Sequence, residues 1–200
     1  MKKDTPAKLI EAATILFARK GYSAVSIREL AQAAAANSAL ISYHFGGKEG
    51  LYRAVLDQHF SHVARGLSAI EAKQLPPLEC ICHFAEMLIA LHRENPFLLR
   101  LVYSELVTPT PCFQSVIKVY IGRNYQFLCD AIRAGIASGE IRPDVDPGYS
   151  AFALAGVINF YFFAKPLEGQ LQELHPDSDA EYGRQAIDIY LNGIRRKKDE

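Results

Sequence analysis

The sequence predicts an all-α protein of about nine helices, with a small segment of three helices followed by a larger helical body. Apolar residues recur at helical spacing, as at Leu9, Ala13 and Phe17. No segment shows the sustained alternation of β-branched residues that is typical of strands. Half of the 200 residues are apolar, which is enough for a substantial core and suits a small domain joined to a larger one.

The first 46 residues contain the start and stop signals of three short helices. Gly21 ends the first helix, because glycine readily adopts the left-handed conformation that closes a helix. Ser26 and Glu29 form a capping box that starts the second. Asn37 is a good N-cap for the third, which must end before two glycines. The predicted helices span about residues 5–20, 27–34 and 38–44.

Six further helices are predicted after residue 46, and most of their ends carry proline or glycine. The first of them is long and keeps one apolar stripe: Leu51, Val55, Leu56, Phe60, Val63, Leu67 and Ile70. We therefore predict a domain of residues 1–46 and a second domain of residues 47–200. The six helices span about 48–74, 77–95, 97–107, 112–138, 147–164 and 179–196.

Charge is unevenly distributed, although the net charge is zero. Residues 1–60 hold eight Lys or Arg against five Asp or Glu, whereas residues 61–200 hold fourteen against seventeen. The first segment is therefore +3 and the remainder −3, which suits an anion-binding head on a neutral or acidic body. No apolar run reaches the roughly 20 residues of a membrane span and no signal peptide is visible, so a cytoplasmic protein is expected.

Four cysteines argue against a structural metal site. The close pair, Cys80 and Cys82, has one residue between its members, whereas zinc sites use two to four. With Cys112 and Cys129 they are expected to be reduced thiols, and we predict no metal and no cofactor.

The second and third helices fit a helix-turn-helix, in which the second helix of the pair enters the major groove of DNA. Ala35 lies in the turn, where glycine is usual. Ile41 and Phe45 are four residues apart and should face the core, against residues that include Ile27 and Leu30. Ser38, Ala39, Ser42 and Tyr43 are then left on the outer surface.

The stretches "AATILFARKGYSAVSIRELAQAAA" and "NSALISYHFGGKEGLYRAVL" resemble the N-terminal signature of the tetracycline-repressor (TetR/AcrR) family of bacterial regulators over about residues 8–56. The resemblance implies a three-helix DNA-binding head, a long linking helix, and a helical body that dimerises and binds a small-molecule inducer. This sequence departs from the family at Ala39, Leu40 and Ser42 of the third helix, which should change the DNA sequence that is preferred.

Residues at the starts of helices and on the third helix are the predicted DNA contacts. Lys48 begins a helix whose free amides and dipole already favour an anion, so a phosphate is expected there. Tyr43 and His44 can donate hydrogen bonds to phosphates, and small residues on the third helix allow close approach to the bases. The predicted contacts are Ser26, Arg28, Asn37, Ser38, Ala39, Leu40, Ser42, Tyr43, His44 and Lys48.

The predicted inducer pocket combines aromatic, histidine and methionine side chains of the central helices, as apolar ligand sites usually do, although an ordinary core has the same composition. Asn159 is included because it interrupts a very apolar helix and needs a ligand, a backbone group or a second subunit as partner. The predicted pocket residues are His62, His83, Phe84, Met87, Tyr103, Phe113, Tyr120, Tyr125, Phe152 and Asn159.

A helix that is apolar nearly all round, as residues 147–164 are, needs burial on more than one side. A two-fold dimer with the last helix satisfies this need, and the resemblance implies an interface at the same place. The predicted interface residues are Phe152, Ala155, Phe160, Phe163, Ile187, Tyr190, Leu191 and Ile194.

Two other classes of function explain less of the sequence than a DNA-binding regulator does. An all-α enzyme lacks support, because His44 has no partner constellation and Glu79, His83 and Glu86 have no matching second set of metal ligands. A helical interaction module leaves the capped short helices and Lys48 unexplained. The sequence thus favours a homodimeric repressor that binds a pseudo-palindromic operator in double-stranded DNA and is released by a small apolar or aromatic effector.

Overall fold

The computed structural model describes residues 5–165 and 178–197, and this part of the chain is all-α, as predicted. It forms nine α-helices and one short π-helical turn, Phe113–Ile117. The α-helices are α1 Thr5–Lys20, α2 Ile27–Ala33, α3 Ala39–Phe45, α4 Lys48–Glu71, α5 Pro77–Glu94, α6 Leu98–Val107, α7 Lys118–Ser138, α8 Pro147–Ala164 and α9 Ser178–Ile194.

The helix ends predicted from local chemistry are found within a few residues. Gly21 closes α1 with φ +76°, in the left-handed region. The capping box at the start of α2 is complete: the Glu29 amide donates to Ser26 Oγ at 3.2 Å, and the Ser26 amide donates to the Glu29 carboxylate at 2.9 Å. Local hydrogen bonding therefore determines these ends.

One expectation for local structure is confirmed with a local difference, and one is wrong. The helix predicted over about residues 112–138 is found, but its first turns, Phe113–Ile117, are π-helical and continue directly into α7. Ile27, expected against the core, is 37% exposed at the start of α2. Its neighbours Leu30 and Ala31 supply the buried face of that helix instead.

The chain divides into two compact units. Unit 1 combines residues up to 62 with residues 95–120, and unit 2 combines residues 63–94 with residues from 121 onward. The apolar stripe predicted for α4 is buried along its whole length. The functional division after residue 46 remains a prediction, and the segment 95–120 packs with the first helices in unit 1.

Each unit has its own apolar core. In unit 1 the largest fully buried side chains are Leu9, Phe17, Leu30, Ile41, Leu51, Tyr52, Leu56, Leu101 and Ile117. In unit 2 they are Leu67, Ile81 and Phe84. All four cysteines are free thiols, and Cys112 and Cys129 are buried.

Among the described residues, one helix, α8, is long and apolar enough to cross a membrane by length and composition alone. No membrane span was expected from the sequence. This test is weak evidence for a membrane protein, because core helices of water-soluble proteins also pass it. Only 22% of α8 is buried within the described chain, so its apolar surface needs another explanation.

Among the described residues, two histidines are buried, one in each unit. In unit 1, His59 lies 3.4 Å from the Thr14 hydroxyl and also hydrogen-bonds Asn95. In unit 2, His92 Nε2 lies 2.8 Å from Asn159 Oδ1, which supplies the partner that the sequence required for this amide. Burial lowers the pKa of both histidines, because desolvation penalises the charged imidazolium.

This burial predicts acid-sensitive stability. The unfolded chain protonates His59 and His92 near their ordinary pKa of about 6.5, whereas the folded chain resists protonation. The free energy of unfolding should therefore be constant at alkaline pH and fall as the pH drops through about 6.5, by up to about 1.4 kcal/mol per pH unit for each histidine. Urea denaturation from pH 8 to pH 5 measures this fall, and His92→Gln should make it shallower. An unchanged unfolding free energy over that range would contradict the prediction.

Candidate DNA-binding surface

The turn between α2 and α3 is built without glycine. Ala35 adopts φ +49°, a left-handed conformation that is uncommon for a residue with a side chain. The side chain of Asn37 then accepts a hydrogen bond from the Ala39 amide at 2.9 Å and so satisfies one free donor at the start of α3. Ser38 occupies the N-cap position by its backbone, but its hydroxyl makes no cap hydrogen bond.

The short helix α3 has a buried and an exposed face. Ile41 is fully buried and Phe45 is half-buried, so these residues attach α3 to unit 1 as expected. Leu40 is also half-buried. The predicted contact residues on the other face are all exposed: Ser38, Ala39, Ser42, Tyr43 and His44.

Tyr43 is the most prominent side chain of this surface, at 81% exposed. Its ring meets the His44 ring edge-on, with 4.8 Å between centroids. A tyrosine that is this exposed contributes little to packing inside the chain. Both rings carry hydrogen-bonding atoms that are free to contact a partner.

Two predicted contacts at the start of α2 have different environments. The Ser26 hydroxyl is engaged with the Glu29 carboxylate at 2.9 Å, whereas Arg28 is exposed. Glu29 also accepts from Lys20 at 2.8 Å. Hydrogen bonds from Lys20 and from Ser26 lower the pKa of Glu29 to about 2, so this carboxylate stays charged. Lys20 is thus paired with Glu29, whereas Arg28 is exposed to solvent at this end of α2.

Lys48 starts α4, but it is more constrained than a solvated surface lysine. Its Nζ lies 4.3 Å from the centroid of the Tyr22 ring and 3.5 Å from the Ser23 carbonyl oxygen. Partial burial lowers the pKa of Lys48. The ammonium group is therefore held next to the free amides of the α4 N-terminus, where both favour an anion.

Gly50 is a residue whose role the sequence did not reveal. A β-carbon at this position would lie 1.7 Å from the backbone carbonyl oxygen of Phe45, which no real contact allows. The absence of a side chain thus permits the end of α3 to cross closely over the first turn of α4. Gly46 and Gly47, both with positive φ, make the intervening bend.

The residues predicted to line the inducer pocket are found in both units. His62, Tyr103, Phe113 and Tyr120 belong to unit 1, and the remaining six belong to unit 2. Phe84 is buried and stacks on Phe127 with 5.7 Å between centroids, as a core residue does. Tyr125 and Phe152 lie at the surface, and the centroids of their rings are 5.2 Å apart. The pocket remains a prediction.

The predicted dimer face shows a clear exposure pattern. Phe152, Phe160 and Phe163 of α8 are 68%, 64% and 49% exposed. Tyr190 and Ile194 of α9 are instead buried within unit 2, where the Tyr190 hydroxyl lies 2.7 Å from Ser150 Oγ. They therefore lie behind the exposed face and support it. Ala155, Ile187 and Leu191 are half-buried.

Other side chains extend this apolar surface. Tyr149 and Ile189, which the sequence did not single out, are 81% and 72% exposed. Between α8 and α9 lies a groove of ≈ 680 Å³ that includes Tyr149, Val157 and Ile189 in its lining. Such a continuous exposed apolar area marks an interaction surface.

The first helices of the chain match a known protein family. Residues 9–55 match the family described as bacterial regulatory proteins, tetR family. The chain is 29% identical over 123 residues to the probable HTH-type transcriptional regulator YttP of Bacillus subtilis. This alignment covers 60% of the chain and 59% of YttP, so the chain spans less than two thirds of that relative.

Similarity to solved structures extends over nearly the whole chain. The ketosteroid transcriptional regulator KstR2 of Mycobacterium tuberculosis has a TM-score of 0.82 at 20% identity, with 98% of each chain covered. AibR, solved in complex with isovaleryl coenzyme A and operator DNA, has a TM-score of 0.77 at 22% identity, with 93% of this chain and 97% of AibR covered. These similarities show the fold of the chain, and its first helices, over residues 9–55, match the tetR family of bacterial regulatory proteins.

Proposed function

We propose that the protein is a DNA-binding transcriptional repressor that binds a pseudo-palindromic operator as a homodimer and is released by a small effector. The observation that carries this proposal is the exposed face of α3, which presents small and polar side chains while Ile41 anchors the helix from behind. This arrangement suits insertion of α3 into the major groove. The names of the relatives, which are HTH-type regulators, support it.

Selection from a pool of random double-stranded DNA tests the proposed function. Rounds of binding at moderate salt should enrich a two-fold symmetric sequence with half-sites about one or more helical turns apart. Affinity for that sequence should exceed affinity for unrelated DNA by about a thousandfold or more. If no sequence is enriched and binding is equal for all DNA, the proposal is wrong.

Lys48→Ala provides a test of the proposed phosphate contact. The ammonium group beside the α4 N-terminus should neutralise one phosphate, so its loss should weaken binding to all sequences alike. The slope of log affinity against log salt should fall by about one. Lys118→Ala, which removes an exposed lysine from the start of α7, is the matched control and should change neither quantity. An unchanged slope for Lys48→Ala excludes the phosphate contact.

Arg28 has a different proposed role. It is exposed at the first turn of α2, and base readout is the function that we assign to it together with the exposed face of α3. Selection repeated with Arg28→Ala should therefore relax the preference at one base position of each half-site. An identical selected sequence would show that Arg28 contacts no base.

The homodimer is proposed to form through the exposed apolar surface of α8 and α9. In a two-fold dimer the same face of each copy meets its equivalent, so one continuous apolar patch suffices for both sides. This arrangement explains why α8 is so apolar although so little of it is buried in the single chain. It also supports a soluble protein of the cytoplasm over a membrane protein, as DNA binding requires.

The effector is proposed to be a small molecule with an apolar or aromatic group, bound in the helical body. AibR binds isovaleryl coenzyme A, which makes a short acyl group a reasonable first probe for this chain. The described residues include no group of three or more side chains suited to a metal ion, and we propose no enzymatic activity. A compound that raises the melting temperature of the protein should weaken operator binding. Unchanged operator affinity with every such compound would contradict an effector role.

A further inference from the structure

Glu105 is a fully buried carboxylate without a cationic partner among the hydrogen bonds and ion pairs that the structure describes around it. It lies on α6 and accepts three hydrogen bonds from neutral groups. The Tyr52 hydroxyl donates to Oε1 at 2.7 Å, the Thr110 hydroxyl donates to Oε1 at 2.8 Å, and the Thr110 amide donates to Oε2 at 3.1 Å. A buried carboxylate is costly unless it is hydrogen-bonded, so this group is expected to serve a purpose other than stability.

The Tyr52 donor belongs to a different helix from Glu105 and lies at a junction of unit 1. Tyr52 is on α4, one turn after Lys48, and is almost fully buried. Its ring packs edge-on against the Phe17 ring of α1, with 4.8 Å between centroids, and lies 4.9 Å from the centroid of the Tyr22 ring. Burial raises the pKa of Tyr52, and the hydrogen bond to Glu105 raises it further, so the phenol remains a donor.

A continuous series of contacts leads from this junction to the candidate DNA-binding surface. The Lys48 ammonium lies over the ring of Tyr22, and Tyr22 touches Tyr52, whose hydroxyl reaches Glu105. The start of α4 is also where Gly50 allows α3 to cross closely. Any rotation of α4 at Tyr52 therefore moves both Lys48 and the end of α3.

A second polar contact joins α4 to the segment after α6. Arg53 Nη2 donates to Ser115 Oγ at 2.9 Å, within the π-helical turn. Such turns often occur at functional sites because they place side chains that a regular helix does not. The segment 95–120 thus attaches to the first turns of α4 at two successive residues.

We propose that Glu105 and Tyr52 are positioning residues for DNA binding: their hydrogen bond fixes the orientation of α4 and, through it, of Lys48 and α3. The inference rests on the proposed DNA-binding function. It assigns to two buried residues an effect on operator affinity that their contribution to folding does not explain. The buried carboxylate sets one orientation of α4 instead of merely filling space.

The test compares Tyr52→Phe with Thr110→Val. Tyr52→Phe keeps the ring and removes only the hydroxyl that links α4 to α6. Thr110→Val removes an equally short hydrogen bond to the same carboxylate, but from the loop after α6, so the link to α4 remains. Both should lower the melting temperature. At a temperature where both are folded by circular dichroism, Tyr52→Phe should bind the selected operator about tenfold more weakly, whereas Thr110→Val should match the wild type.

A conservative variant of Glu105 distinguishes the effect of its hydrogen bonds from the effect of its negative charge. Glu105→Gln retains an oxygen that accepts from Tyr52 and Thr110, so operator affinity should stay within about twofold of the wild type, even if stability falls. Should Tyr52→Phe not fold, the double variant Tyr52→Phe/Glu105→Gln replaces it, because a neutral amide costs less to bury with one donor missing and its oxygen still accepts from the Thr110 hydroxyl.

The outcomes distinguish this inference from the proposed function. If the wild-type protein selects no DNA sequence, both are wrong. If the wild type binds its operator and folded Tyr52→Phe binds equally well, the positioning role is wrong and the proposed function stands. If Thr110→Val loses as much affinity as Tyr52→Phe, general loosening of unit 1 explains the loss, and the inference is also overturned.

Discussion

Ser42→Glu is expected to abolish sequence-specific DNA binding while leaving the fold intact. Ser42 is exposed on α3, on the face that we assign to the major groove. A carboxylate there would meet the negative potential of the DNA, and such like-charge contact costs several kcal/mol, or about a thousandfold in affinity. Because the site is exposed and lies on a helix, the free energy of unfolding should change by no more than about 0.5 kcal/mol.

Two matched variants make this expectation specific. Gln58→Glu adds the same charge at an exposed position of α4 in the same unit, so it should lower operator affinity only slightly. Ser42→Gln adds similar bulk without charge and should have an intermediate effect. Fluorescence anisotropy with the selected operator measures all three. Equal affinities for Ser42→Glu and Gln58→Glu would show that α3 does not approach the DNA.

The helices were predictable because their ends depend on short-range chemistry. The bounds of α1 coincide with those expected, since Gly21 must adopt a positive φ for the helix to end there. The capping box at Ser26 likewise acts within four residues. The exposed face of α3 was predictable from the four-residue spacing of Ile41 and Phe45, because burial of Ile41 leaves its neighbours in the sequence on the outer surface.

Features that depend on long-range contacts were not predictable. Glu105 reads as a surface residue in the sequence, and only folding brings Tyr52 to it across 53 positions. Lys48 was predicted as a phosphate contact at the start of its helix, but its contacts with Tyr22 and Ser23 leave no pattern in the sequence. Gly50 similarly matters only because the Phe45 carbonyl crosses it.

The apolar surfaces of α8 and α9 show a different limit of sequence analysis. Since α8 is apolar nearly all round, its periodicity does not indicate which side packs inside the chain. In α9 two apolar stripes exist, and the sequence assigned Tyr190 and Ile194 to the interface. The structure buries both within unit 2 and exposes Ile189 instead. Tyr190 and Ile194 are buried because α9 packs against α5 and α8. The sequence pattern of α9 alone does not indicate which of its stripes faces those helices.

Phe160→Asp is expected to convert the dimer into monomers and thereby to weaken operator binding strongly. Phe160 is 64% exposed on α8, amid the apolar surface proposed to meet a second copy. A two-fold interface would bury this carboxylate twice, and an unpaired buried charge costs about 3–5 kcal/mol at each occurrence. The dimer dissociation constant should therefore rise by more than about a thousandfold, and a monomer can occupy only one half-site.

Tyr43→Asp is the matched control, because it replaces an exposed aromatic residue by the same carboxylate on α3. It should abolish operator binding while the protein remains a dimer, whereas Phe160→Asp should lose both properties. Analytical ultracentrifugation at micromolar concentration measures the oligomeric state, and anisotropy measures operator affinity. A dimeric Phe160→Asp protein would show that the exposed face of α8 is not the interface, and the apolar surface of this helix would then need a different partner.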